Sequence, residues 1–186
     1  MSRKYEFVNI RHSSNPDLFR IRALRDIPSI GVKAGDFGGF TERGDNLSQE
    51  GDCWISDNAC VYGDTYISGN AHIFQNAQVC GNAQVYDNAQ VFGNAKVYDR
   101  SRIFGDAKIY GNAQVFSNSW VSGDLEINEF MKLSGAIHGM RCGGSSTQIY
   151  YADGVTAYFD IDKELVVNGT SPDIEYHKTL ARLKLS

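Results

Sequence analysis

No stretch of the chain approaches the roughly eighteen consecutive apolar residues that a membrane-crossing helix needs. The opening Met1-Ser2-Arg3-Lys4-Tyr5-Glu6 runs into polar positions rather than an apolar signal segment, so a soluble, cytoplasmic protein is expected. Cysteine is scarce and scattered. Cys53, Cys60, Cys80 and Cys142 form no CxxC pair and no evenly spaced framework, which argues against a structural zinc site and a disulfide scaffold and leaves free, partly buried thiols. Gly35 to Gly39 lacks the following Lys-Ser/Thr and the helix of a phosphate-cradling loop. Charge is also small, a net -4, but unevenly placed. Residues 1–50 carry eight Lys/Arg against seven Asp/Glu, residues 129–186 six against seven, and residues 51–128 four against eight. The negative excess therefore sits in the middle of the chain, where it disfavours a direct nucleic-acid-binding face.

What the middle contains is a repeat. From Gly51 to Asn128 the sequence divides without a gap into thirteen hexads, several nearly identical, such as Gly81-Asn82-Ala83-Gln84-Val85-Tyr86 and Asp87-Asn88-Ala89-Gln90-Val91-Phe92. Each reads turn residue, Asn or Asp, small residue, variable polar residue, Val or Ile, then often an aromatic. The last four positions alternate with the period of two of a short strand. The first two supply the positive φ angles and side-chain hydrogen bonds of a corner. A short strand and a corner every six residues cannot build hairpins, because no longer turn recurs; they build a coil. Three hexads per turn give a three-sided prism of about four turns. Its interior column is Ile55, Val61, Ile67, Ile73, Val79, Val85, Val91, Val97, Ile103, Ile109, Val115, Val121 and Ile127, with no polar exception. Asn58, Asn76, Asn94 and Asn112 would lie one coil apart; an amide ladder and ordinary turn preference account for them equally well.

The sixth position points outward. Taking every third hexad as a face places Phe74, Phe92 and Tyr110 in one column, Tyr62, Tyr98 and Phe116 in a second, and Tyr86 and Phe104 in a third. Contiguous apolar stripes need cover, so mutual stacking, subunit packing in a homotrimer, or a bound protein partner is expected at these eight rings.

The flanks read as caps for the open backbone edges of such a coil: an N-terminal cap over residues 1–50 and a C-terminal cap over 129–186. Tyr5 to Ile10 and Leu18 to Leu24 alternate as strands around the turn residues His12 to Asp17. Thr147 to Ala152 and Val155 to Ile161 read as a hairpin joined at Asp153-Gly154. Ser171 and Pro172 open a short amphipathic helix.

The tandem Gly-Asn-Ala-x-Val-Tyr hexads, preceded by Lys33-Ala34-Gly35-Asp36-Phe37-Gly38-Gly39-Phe40 and by Asn46 to Ile55, resemble a family of bacterial and phage hexapeptide-repeat proteins over about residues 18–128. That resemblance implies an all-β, left-handed parallel β-helix; the pattern alone gives a three-sided coil without a hand. Family members are commonly labelled acyltransferases or polymer-forming proteins, and the resemblance also implies phage or prophage residence, hence the host cytoplasm. Fold alone is weak evidence for chemistry.

Acyl transfer on this fold, as the superfamily implies, uses a His base at a subunit interface and a groove for a coenzyme A thioester. The repeats hold one histidine, His72, at a variable outward position in the column of Trp54 and Gln90; His138 follows just beyond them. Each is a candidate base, and each is equally a polar residue that its position tolerates. A three-His metal site of the kind found on this fold is excluded by the single His of the repeats, and no metal or other cofactor is expected. Cys60 and Cys80 share a face without an adjacent His and read as packing thiols. The expectation is a non-catalytic, rigid, trimeric scaffold that binds a protein partner, accessory or inhibitory. Its alternatives are a coenzyme A-dependent acyltransferase and an acidic mimic of nucleic acid.

Overall fold

In the computed structural model the hexad period becomes a parallel β-solenoid of about five turns. The structure describes residues 3–127 apart from 117 and 125. Beyond them it describes the backbone of strands Lys132–Leu133, Ile137–Gly143, Ser146–Tyr151, Thr156–Asp160 and Val166–Asn168. Helix is almost absent among the described residues, limited to single 3-10 turns at Pro28–Ile30 and Gly44–Asn46.

Three parallel ladders form the faces of the prism. The first joins Cys60–Val61, Gln78–Val79, Lys96–Val97, Gln114–Val115 and Lys132–Leu133; the second joins Trp54–Ile55, His72–Ile73, Gln90–Val91, Lys108–Ile109 and Glu126–Ile127. The third joins Tyr66–Ile67, Gln84–Val85, Arg102–Ile103 and Trp120–Val121. Each strand is only two residues long, so the extended part of a hexad is its fourth and fifth positions rather than the last four. Partners lie eighteen residues apart, as in Gln90 opposite Lys108. Backbone hydrogen bonds climb from coil to coil, for example Gln90 N–H to Ala107 O and Phe92 N–H to Ile109 O, both 2.9 Å.

The physical reason for the coil lies in its interior. All thirteen fifth-position Val and Ile side chains are completely buried, as are the third-position alanines, so every rung contributes apolar surface to one shared interior. β-Branched residues fit this stacked, narrow space because their χ1 freedom is already restricted. Where the third position is Thr or Ser, the hydroxyl does not go unpartnered. Thr65, Ser101 and Ser119 donate to the carbonyls of Tyr62, Tyr98 and Phe116, three residues back, at 2.9, 2.9 and 2.7 Å.

Corners carry the backbone strain. Besides glycines, Asp57, Gln75, Asp87 and Asp99 adopt φ of 57–60°, and three of these side chains hydrogen-bond to the corner amide one coil on: Asp57 with Gln75 N–H (2.9 Å), Gln75 with Gly93 N–H (2.8 Å) and Asp87 with Gly105 N–H (3.1 Å). The amide ladder forms as well, running Asn76 to Asn94 to Asn112 at 3.3 Å per step. A second, unforeseen ladder runs Asn70 to Asn88 to Asp106 at 3.0 and 2.9 Å.

Coil pairing begins upstream of the first hexad. β1 (Tyr5–Arg11), β2 (Phe19–Ala23) and β3 (Phe37–Thr41) form an antiparallel sheet whose last strand then pairs parallel with Cys60–Val61. Phe40 faces Cys60 and Leu47 faces Ile67, twenty residues apart rather than eighteen. This longer first coil corrects the count of four turns, because counting by sixes is blind to a coil with two extra residues. Asn46 organises it: its amide donates to Gly63 O (2.8 Å) and Thr65 O (2.9 Å), while its side-chain oxygen accepts from Arg43 N–H and the Thr41 hydroxyl. Gly38 and Gly39 let β3 lie flat on the coil. A Cβ on Gly39 would sit 2.5 Å from Ile55 Cγ2 and 2.6 Å from Ala59 O.

In the C-terminal segment, Ile137–Gly143, Ser146–Tyr151, Thr156–Asp160 and Val166–Asn168 form a four-stranded antiparallel sheet in that order. The expected helix at Ser171 and the turn at Asp153-Gly154 lie outside the described residues.

Candidate functional site

The outward columns are the first candidate. Because fourth and sixth positions both face out and coils stack in register, each aromatic column becomes a pile of rings. Phe74, Phe92 and Tyr110 stack with centroids 4.7 and 5.2 Å apart and planes within 9°; Tyr86 stacks on Phe104 at 5.1 Å and Tyr98 on Phe116 at 5.0 Å. Cys80 interrupts the column between Tyr62 and Tyr98. Burial, with a further push from Cys80, raises the Tyr62 hydroxyl to about 12. All eight rings end half-buried, so stacking itself provides much of the cover that the sequence demanded.

The most exposed large apolar residues of the repeats lie elsewhere. Tyr66 and Trp120, 46% and 38% exposed, occupy the fourth position at the two ends of the third-face column Tyr66, Gln84, Arg102, Trp120. The Arg102 guanidinium lies 4.9 Å from the Trp120 ring centroid. The Tyr86–Phe104 stack stands beside this column, because residues two apart on an outward face are neighbours. The signal for Tyr66 and Trp120 was present in the sequence as aromatics at the position mostly given to polar residues, but it lies outside the every-sixth-residue pattern.

The second candidate centres on His72. Its Nε2 lies 2.8 Å from Ser56 Oγ, and its ring stacks on Phe74 at 4.6 Å. Burial lowers its pKa below the usual imidazole value, against a smaller opposing pull from Asp57. A neutral ring in hydrogen-bond contact with a hydroxyl is chemically able to accept that proton. Ser56 sits at the sixth position of the column that continues into Phe74 and Phe92, and sequence gave it no prominence because the contact runs diagonally between coils. Trp54, next in the His72 column, is not a surface residue: it is 1% exposed, packed edge-on against Tyr5 at 6.4 Å. The side chain of His138 lies outside the described residues.

The thiols fall into two environments. Cys60 is buried with Leu18 and Phe40, and burial pushes it up to about 11, far from a reactive thiolate. Cys53 is fully buried against Lys4, whose Nζ approaches Sγ at 3.1 Å. Among the described residues no group of three or more His, Cys, Asp or Glu side chains is placed to hold a metal ion. No helix among them is long and apolar enough to cross a membrane.

The fold and these surfaces define a parallel β-solenoid with ordered outward columns. No family model matches the chain, and no curated protein matches it.

Proposed function

We propose that this protein is a rigid, non-catalytic scaffold that binds a protein partner, with the third face as its recognition surface. One observation carries the reading: Tyr66, Arg102 and Trp120 stand in a single outward column, exposed, on one parallel ladder in which the Arg102 strand is paired on both sides and the Tyr66 and Trp120 strands on one. Tyr, Trp and Arg are the residues that dominate binding energy at protein interfaces, and a stiff support lowers the entropic cost of presenting them. The sixth-position rings add an apolar flank, with Tyr86 and Phe104 nearest the column. Homotrimeric assembly through another face, membership of the hexapeptide-repeat proteins, the left-handed sense of the coil and an inhibitory role in a phage or prophage setting belong to the same proposal. So does a cytoplasmic location.

The test is affinity capture from the source cell with three baits: the wild type, Tyr66→Ala/Trp120→Ala, and Phe92→Ala on the second face. A defined partner retained by the first and third baits and lost with the second supports the assignment. Equal recovery by all three removes the third face from consideration.

A second reading is favoured by the 2.8 Å contact of His72 with Ser56. In it the protein is a coenzyme A-dependent acyltransferase, with His72 or His138 as base and the thioester groove between subunits. Calorimetric titration with coenzyme A and acetyl-coenzyme A decides it: saturable binding lost in His72→Ala/His138→Ala sustains the enzyme, and no heat at millimolar ligand ends it. The acidic-mimic reading has weaker support, since eight acids against four bases across the repeats is a low charge density beside a nucleic acid.

A further inference from the structure

Where the segment before β1 passes the first coil, an amine and a thiol are enclosed together. Lys4 and Cys53 are both completely buried, 49 positions apart in sequence, with Nζ 3.1 Å from Sγ. The amine is held in place by the carbonyls of Cys53 (2.9 Å), Glu50 (3.2 Å) and Gly51 (3.5 Å). The thiol faces the carbonyls of Ser48, Glu50 and Ile67, each at 3.7 Å. An isolated ammonium is costly to bury, and apolar surroundings equally disfavour a thiolate. Burial accordingly lowers the Lys4 pKa and raises that of Cys53, and each partner opposes the shift in the other. Desolvation thus works toward the uncharged amine and thiol while the carbonyls work toward the ammonium, and it is the uncharged amine that places a nucleophilic nitrogen lone pair beside sulfur. Among the described residues the other buried thiol offers a contrast: Cys60 Sγ meets the Asn58 carbonyl at 3.4 Å.

We propose that Lys4 and Cys53 are the two ends of an oxidative N–O–S cross-link that fastens the N-terminal cap to the solenoid. The oxidant is dioxygen, small and apolar enough to enter a packed interior. One of its oxygen atoms bridges Nζ and Sγ, and the other leaves as water with one hydrogen from the amine and one from the thiol. Nitrogen and sulfur each give up two electrons, and dioxygen takes four. The pair is separated by a single atom's reach, and the carbonyl cage holds it in that geometry. The bridge closes a chain of 49 residues across the cap, so it removes freedom from the unfolded chain and holds shut the end of the coil where the first rungs would otherwise fray.

The full-length chain, purified in air and separately under anaerobic reducing conditions, is denatured, alkylated and weighed intact, then mapped by tryptic peptides. The cross-link adds about 14 Da, one oxygen gained and two hydrogens lost, a gain distinct from that of simple sulfur oxidation. It joins the peptide of Lys4 to that of Cys53, blocks alkylation of Cys53, and is reversed by dithiothreitol. Thermal melting should occur several degrees higher in the aerated wild type than in the reduced one, with no such difference in Cys53→Ser or Lys4→Arg. An aerated wild type in which Cys53 is fully alkylated, or carries only sulfinate or sulfonate, overturns the proposal. Oxidation of Cys53 to the same product in Lys4→Arg does so too. Should either variant fail to fold, the peptide map of the wild type decides by itself.

Discussion

The side-chain oxygen of Gln75 accepts the backbone N–H of Gly93, one coil further on, at 2.8 Å. Gln75 itself sits at φ 59°, a conformation that costs an ordinary residue free energy, and its hydrogen bond offsets part of that cost. Asp57 and Asp87 repeat the arrangement at other corners. A solenoid corner thus tolerates a non-glycine residue when its side chain reaches up to the next coil.

It follows that Gln75→Ala, which keeps the strained φ and loses the acceptor, should destabilise the fold by about 0.5–1.5 kcal/mol. Gln75→Gly loses the same hydrogen bond but relieves the strain, and should lie close to the wild type. Urea midpoints of the two variants check this, and an alanine variant as stable as the glycine one would contradict it.

Gly39 is required for a different reason, the close approach of β3 to the first coil. A methyl group there meets Ile55 Cγ2 and the Ala59 carbonyl, neither of which can withdraw without moving a fully packed rung. Gly39→Ala should cost about 1–3 kcal/mol. Gly44→Ala is the control, since a Cβ at that position has no neighbour nearer than 4.0 Å. Equal denaturation midpoints for the two variants would refute the packing argument.

The ring stacks predict coupling between coils. Phe92 and Tyr110 lie 5.2 Å apart with planes 7° from parallel. A double-mutant cycle with Phe92→Leu and Tyr110→Leu should give an interaction of about 0.5–1.5 kcal/mol beyond the separate losses. Additive losses would mean that the rings are covered independently and the stack contributes nothing of its own.

His72 predicts a pH dependence. Its folded-state pKa lies below the ordinary 6.5 because burial disfavours the charged ring, so the unfolded chain binds the proton more readily. The corresponding stability is fully present above about pH 6.5, declines as pH falls below it, and is gone once pH passes the lowered folded-state value. Chemical denaturation at pH 7.5 and pH 5 should show a larger loss on acidification for the wild type than for His72→Gln. Parallel losses in both proteins would assign the acid sensitivity elsewhere.

Repetition made most of the fold legible in advance. A residue's neighbours in the coil body are those eighteen positions away, so the period alone assigns Val91 to the interior with Ile73 and Ile109, and Phe92 to a column with Phe74 and Tyr110. The apolar pattern repeats at the same spacing as the contacts, and local sequence therefore carries long-range information. That is what the sequence by itself determined: a three-sided coil, its interior column, and the membership of its outward columns. Tertiary structure decided what has no period. The first coil is two residues longer than the others, Lys4 is buried beside a thiol 49 positions away, and Ser56 meets His72 on a diagonal that skips sixteen residues. It also decided that the sixth-position rings shelter one another while Tyr66 and Trp120, at the fourth position, remain in solvent. Stacking covers a ring only when another ring lies directly above or below it, and Tyr66 and Trp120 have Gln84 and Arg102 as their nearest neighbours in the column.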